Sequence, residues 1–251
     1  MNYLNEIRRR SKSLYWGGFL HFLAALVFTI CIFFDARVLG GISIYVKPIK
    51  FAVSIGVFLW TMAWYLYYLP QVRKVQTIKF VLLSMLTLEM LLISIQAIRG
   101  ELSHFNISSI ENMIIFQVMG LAILVNTIMV FWSFRLFAVN LSLPDGYKRA
   151  IRLSMLIFIV ASLEGYLMAA NLGHTVGAPD GQEGLFFLNW AKAYGDLRIF
   201  HFLGLHALQL VPLFAWFFAK DNPKAVNIFA LAYFLLSLGT LWNALAGRPL
   251  F

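Results

Sequence analysis

Five ionisable side chains stand inside long apolar stretches of this 251-residue sequence: His21, Glu89, Glu164, His201 and His206. A charge in hydrocarbon is costly unless it is paired or wetted, so such residues mark either a working site or a satisfied polar lock. At 1.5 Å per helical residue, Glu89 lies about 18 Å and Glu164 about 21 Å from the cytoplasmic starts of their expected helices. His206 enters from the other side and, in a core about 30 Å thick, lies about 17 Å from the cytoplasm. The shared depth predicts that Glu89, Glu164 and His206 converge on one interior cavity open to the outer face. Two neighbouring carboxylates do not both ionise unless a cation or His206 compensates, so the expected chemistry is proton or metal binding, or general acid–base work.

Helical angle adds partners. At about 100° per residue, Arg198, His201, His206 and Gln209 occupy one broad arc that must look into the bundle, with Arg198 placed as an anion clamp. Glu89 and Gln96 are seven residues apart and nearly aligned, which gives a polar stripe toward the outer loops that carry Arg99, His104 and His174. As a metal set, His206, His201, Glu164, Glu89, His104 and His174 offer donor types that suit a divalent ion such as zinc. His201 and His206 are about 140° apart on the helix, however, and are poorly placed to share one ion. For haem, His21 and a histidine of the sixth span would be the axial ligands, but their depths differ by several ångströms. Two glycosylation acceptor patterns occur, at Asn106-Ile107-Ser108 and Asn140-Leu141-Ser142, and the glycines of the 172–184 loop read as turn formers.

The elements that must position these residues are membrane helices. The sequence is 61% hydrophobic and only 12% charged, too apolar to be covered by one aqueous core. Seven apolar runs can cross a bilayer, at 14–34, 48–69, 77–99, 112–137, 150–171, 197–219 and 224–246. The chain is therefore read as one all-α domain over 1–251, a polytopic bundle integral to the inner membrane. Arg8, Arg9, Arg10 and Lys12 resemble the start of a secretory signal, but the apolar run after them is too long for a signal core and is read as a retained span. The net charge of +9 comes from clusters between spans, not from a polar face, and does not point to nucleic acid. One side collects thirteen Lys and Arg residues and the other seven, so the N-terminus is expected in the cytoplasm and the C-terminus outside. The single cysteine, Cys31, allows no intrachain disulfide. Similar connections after spans 1 and 5, and similar ends of spans 3 and 7, suggest a three-plus-one-plus-three duplication with span 4 as linker.

Four strings carry a resemblance: Lys47-Pro48-Ile49-Lys50-Phe51, Arg99 to Asn106, Gly177-Ala178-Pro179-Asp180-Gly181, and Gly195 to Gln209. In these the chain resembles a group of bacterial polytopic membrane proteins. The resemblance implies that the strings belong together and carries over no catalytic role. The topology is similar to that of heliorhodopsins, but span 7 has no mid-helix lysine for a Schiff base, and retinal is not expected. The last-span histidine pair of the progestin and adiponectin receptor and ceramidase-like hydrolases is absent. The small sugar carriers are similar only in the suspected duplication.

Three functions follow from this reading. The first is a membrane-embedded, metal- or cofactor-assisted enzyme with an outward-opening site, acting on a small or lipid-like substrate. In it Glu89 or Glu164 is base or ligand, His206 and His201 are ligands or acid–base groups, and Arg198 binds an anion. The second is a proton- or ion-coupled carrier of a small molecule, and the third a structural or sensory bundle. The topology is open to a direct check. A reporter active only outside the cytoplasm is expected to work when fused after Phe251 and to fail in the 144–149 loop, and the reverse result overturns the orientation.

Overall fold

A computed structural model describes residues 3–138, 141–181 and 183–250. Among the described residues a short helix, α1 (Tyr3–Arg10), precedes seven that are long and apolar enough to cross a membrane. These are α2 (Lys12–Cys31), α3 (Val46–Leu66), α4 (Val72–Arg99), α5 (Ile110–Leu136), α6 (Asp145–Ala170), α7 (Arg198–Phe218) and α8 (Pro223–Leu245), with mean hydropathy between 1.5 and 2.3 in their most apolar windows. Their outward faces are apolar as well: Ile228 is 71% and Leu236 75% exposed on α8. A water-soluble protein does not present such contiguous surface, and lipid is the solvent that suits it. All seven expected spans are present. The ends differ by a few residues, most at α4 and α6, which begin at Val72 and Asp145 because charged first turns continue each helix beyond the apolar run.

The helix ends follow from local residues. Ser11 caps α2 by accepting from the Leu14 amide, and Asn222 caps α8 from the Ala225 amide with Pro223 at the first helical position. Gly100 closes α4 in the left-handed region, φ 74°, with its own amide on Ala97 and that of Glu101 on Gln96.

The chain forms two compact units that meet in sequence between Met129 and Val130, within α5. In the first, α2, α3 and α4 pack on one another. A two-residue hairpin follows α2, joining β1 (Val38–Leu39) to β2 (Ile42–Ser43) through Gly40 and Gly41, both at positive φ as a primed turn requires. Gly18 and Gly56 let α2 and α3 approach, and the Trp60 indole fills the space and donates to the Tyr15 carbonyl at 3.0 Å. Trp60 is thus a packing residue between α2 and α3. The basic cluster before α2 also does more than set topology. Glu6 bonds Arg9 and Arg10, which hold its carboxyl down at about 2, and the Arg10 guanidinium lies 3.7 Å from the Trp64 ring.

In the second unit α6, α7 and α8 pack together, again with a two-stranded antiparallel pair between the first and second helices. Its strands are β3 (Thr175–Val176) and β4 (Gly195–Asp196). Gly195 lies so close to the Ala244 carbonyl that a side chain there has no room, which presses β4 onto the end of α8. Gly204 brings α7 against Ala161 of α6 in the same way, and both positions are in the fully buried seam. Gly204→Ala places a methyl group against the Ala161 Cβ and is expected to lower unfolding free energy by about 1–3 kcal/mol. Gly239→Ala, on an open face of α8, is the control and should leave stability unchanged or raised. Thermal unfolding of the purified protein in detergent reads both, and equal stability of the two variants overturns the close crossing.

Candidate functional site

Glu89 belongs to the first unit and Glu164, His201 and His206 to the second, and each of the two glutamates meets an imidazole within its own unit. In the first unit Glu89 is fully buried on α4, and its nearest basic atom is Nε2 of His104 at 3.3 Å. Neither carboxylate oxygen makes a hydrogen bond among the described residues. On its other side the His104 ring brings Nδ1 to 3.2 Å from the Lys47 ammonium and 3.0 Å from the Ser103 hydroxyl. An ammonium only donates, so Nδ1 facing it accepts and Nε2 carries the proton toward Glu89. The result is a line from Lys47 through His104 to a carboxyl within the apolar span.

Local structure aims His104 inward. Gly100 ends α4, and the segment after it turns back through Phe105, held at φ 59° in the left-handed region. Rings of Phe51, Phe105 and Phe116 surround the imidazole with centroids 5.7 to 6.4 Å away. Below the loop, Gln96 and Asn112 bond each other at 2.9 Å, and Glu101 accepts from Asn106 and Asn112. This network staples the 100–112 segment to the end of α4. Asn106 is buried with its amide bonded to Glu101 and Leu102, which makes it a structural residue and not a glycan acceptor. Asn140, in the second acceptor pattern, lies outside the described residues.

In the second unit Glu164 of α6 meets His201 of α7, with Nδ1 3.2 Å from Oε2, while Glu164 Oε1 has no hydrogen bond among the described residues. The His201 ring lies over Gly165 of α6, at ordinary contact distance. The sequence paired Glu164 in depth with His206, but the partner it takes is His201. His206 turns along its own helix to Gln209, Nδ1 to Oε1 at 3.3 Å, and its ring lies tilted against Phe202 with centroids 4.3 Å apart. The angle between the two histidines separates them, as expected. Gln209 and Phe202 complete the surroundings of His206, with Trp190 beyond Phe202.

Arg198 has a different occupation from the expected anion clamp. Its guanidinium fork holds Asp196, a buried residue two positions earlier that also accepts from the Arg198 and Ala191 amides. A further bond to the Asn189 carbonyl ties the 184–191 segment to the start of α7. The signal for this pair is the short Gly195-Asp196-Leu197-Arg198 string, where an acid precedes a helix and a base opens it. His174 likewise belongs to a staple, with Nδ1 2.6 Å from Asp180, whose carboxylate also accepts from the His174 and Thr175 amides. His21 points Nδ1 at the Gly17 carbonyl of its own helix at 2.7 Å.

Among the described residues of either unit, no three His, Cys, Asp or Glu side chains gather closely enough to hold a metal ion. The donor set His206, His201, Glu164, Glu89, His104 and His174 resolves into separate contacts: Glu89 with His104, Glu164 with His201, His174 with Asp180, and His206 with Gln209. No protein-family model, curated protein or solved structure matches the chain.

The His174–Asp180 staple has a definite pH dependence. Partial burial pushes the Asp180 carboxyl up, but the hydrogen bonds and charge of His174 outweigh it and hold the group well below the usual carboxylate range. A carboxyl depressed in the folded state contributes stability that is present above its unfolded value, about 3.9, and is lost as pH falls through the lower folded value. The loop is therefore expected to stay closed through mildly acidic pH. Asp180→Asn should speed amide hydrogen exchange at His174 and Thr175 about tenfold or more at neutral pH, from the loss of charge-assisted bonds. Unchanged exchange overturns the staple.

Proposed function

We propose that this protein is a proton-coupled carrier of a small molecule in the inner membrane, with Glu89–His104 and Glu164–His201 as its proton-binding pairs. The observation that carries the reading is Glu89: fully buried in an apolar span, without a hydrogen bond among the described residues, and within reach of an imidazole. A buried carboxyl is stable as a neutral acid or beside a cation, and one with its hydrogen-bonding capacity unfilled has that capacity to offer a proton or substrate. His104 and Lys47 supply the route by which a proton arrives from the loop side. Each unit also has the same order of helix, two-stranded pair, helix and helix, which supports a three-plus-one-plus-three duplication linked by α5. The charge asymmetry supports the N-terminus inside and the C-terminus outside.

A second reading rests on Glu164–His201. A carboxylate orienting an imidazole is the pair a general base needs, so a membrane-embedded enzyme acting on a small or lipid-like substrate remains the alternative. Infrared titration of the protein in sealed vesicles separates the two. For a carrier, the protonated-carboxyl band of Glu89 should vanish on raising pH between about 4 and about 10, follow the pH of either compartment, and be missing in Glu89→Gln. Response to one compartment alone favours the enzyme. A band that does not titrate, or loss of folded protein in both Glu89→Gln and Glu164→Gln, makes these groups a structural lock and overturns the carrier.

A further inference from the structure

Away from both pairs, the start of α6 borders a cavity of about 210 Å³ lined by Asp145, Lys148, Arg149, Arg152 and Pro223. We propose that this cavity binds a phosphate oxyanion carried by an anionic lipid, the phosphodiester of a headgroup at the membrane surface. Three cations face one acid here. Lys148 has Asp145 beside it at 3.5 Å, which balances one charge, whereas Arg149 is exposed and Arg152 half-buried. Arg152 is four residues from Lys148 and three from Arg149, so its side chain neighbours both on the helix surface.

Arg152 is the informative member. Its guanidinium lies 4.9 Å from the Phe134 ring, and its Nε is buried with no hydrogen bond among the described residues. Such a donor is costly to leave unmade and suits an oxyanion brought to it. The backbone helps as well. The cavity lies where two helices begin, α6 at Asp145 and α8 at Pro223, so both dipoles point their positive ends at it. Pro144 offers α6 no side-chain cap, and Gly146 is pressed against the Ala219 carbonyl, which holds the start of α6 against the end of α7.

A lipid source fits the position. The cavity lies at the starts of two helices long and apolar enough to cross a membrane, where a span that crosses a bilayer meets the headgroup region. Basic pockets between membrane helices are suited to anionic headgroups, because charge and surface location act together. Soluble phosphate shares the chemistry and lacks the anchor.

Thermal unfolding of the full chain in neutral detergent tests the assignment, with phosphatidylglycerol, phosphatidylcholine and inorganic phosphate each added in turn. Phosphatidylglycerol is expected to raise Tm by a few degrees and phosphatidylcholine to leave it unchanged. The double variant Lys148→Gln/Arg149→Gln should weaken the apparent lipid affinity about tenfold or more, as loss of charge-assisted bonds implies. The control Arg73→Gln/Lys74→Gln removes two exposed cations elsewhere and should keep the full shift. Arg152→Gln is read in the same way if it folds, and the two surface changes decide the matter if it does not. No shift with phosphatidylglycerol, or equal loss in the control, overturns the site. An equal shift with inorganic phosphate, removed by the same variants, overturns the lipid source.

Discussion

Within the hydrocarbon there is no water to satisfy a backbone amide or carbonyl, and every other feature of this protein depends on that. The constraint forces seven stretches of the chain into continuous helices and confines irregular backbone to the connections. It also makes each polar side chain within a span a decision with consequences. Most are resolved inside their own helix: Thr29, Thr61, Ser94, Thr127 and Ser237 each donate to the carbonyl one turn back. Glu89 and Glu164 are too acidic and too deep for that solution, and each reaches for an imidazole from another segment.

Close helix crossings in both units depend on small residues, because apolar side chains gain little by leaving lipid for one another. Gly18 and Gly56 in the first unit, and Gly204 with Ala161 in the second, allow backbone approach where dispersion contacts are densest. The connections then become tight enough to act as positioning devices. Gly195 presses against the end of α8, which sets Asp196 in the protein interior, and Asp196 sets Arg198. In the first unit Gly100 and the left-handed Phe105 perform the equivalent task for His104.

The seven helices were legible because a bilayer of fixed thickness reduces recognition to length and hydropathy, a test that short-range composition satisfies. Helix ends were less so, as α6 shows, since charged turns continue a helix into the interface without an apolar signal. For the candidate site, depth singled out Glu89 and Glu164, which are buried, and did not find their imidazole partners. Glu164 and His206 share a level, yet a helix presents different faces at that level, and His201 is the residue turned toward α6. Depth counting is blind to rotation between helices, which depends on packing at Gly165 and Gly204. His104 and Lys47 were separated by 57 residues, and only the turn after Gly100 brings them together.

The Glu89–His104 and Glu164–His201 pairs share an asymmetry that bears on what they are for. Glu89 and Glu164 expose 1% and 3% of their side chains, while His104 and His201 expose 20% and 28%. A pair retained only to hold helices together gains most by burying both members, because water competes for the interaction and weakens it. Here the acid is withdrawn and the base is left within reach of the surface. Imidazole is the side chain that both accepts and releases protons near neutral pH, and it can turn one nitrogen to the solvent side and the other to the acid. Both oxygens of Glu89 and Oε1 of Glu164 make no hydrogen bond among the described residues, so each acid has acceptor capacity left for a proton. That ordering, from part-exposed base to buried acid with acceptor capacity left, is what the proposed proton entry requires.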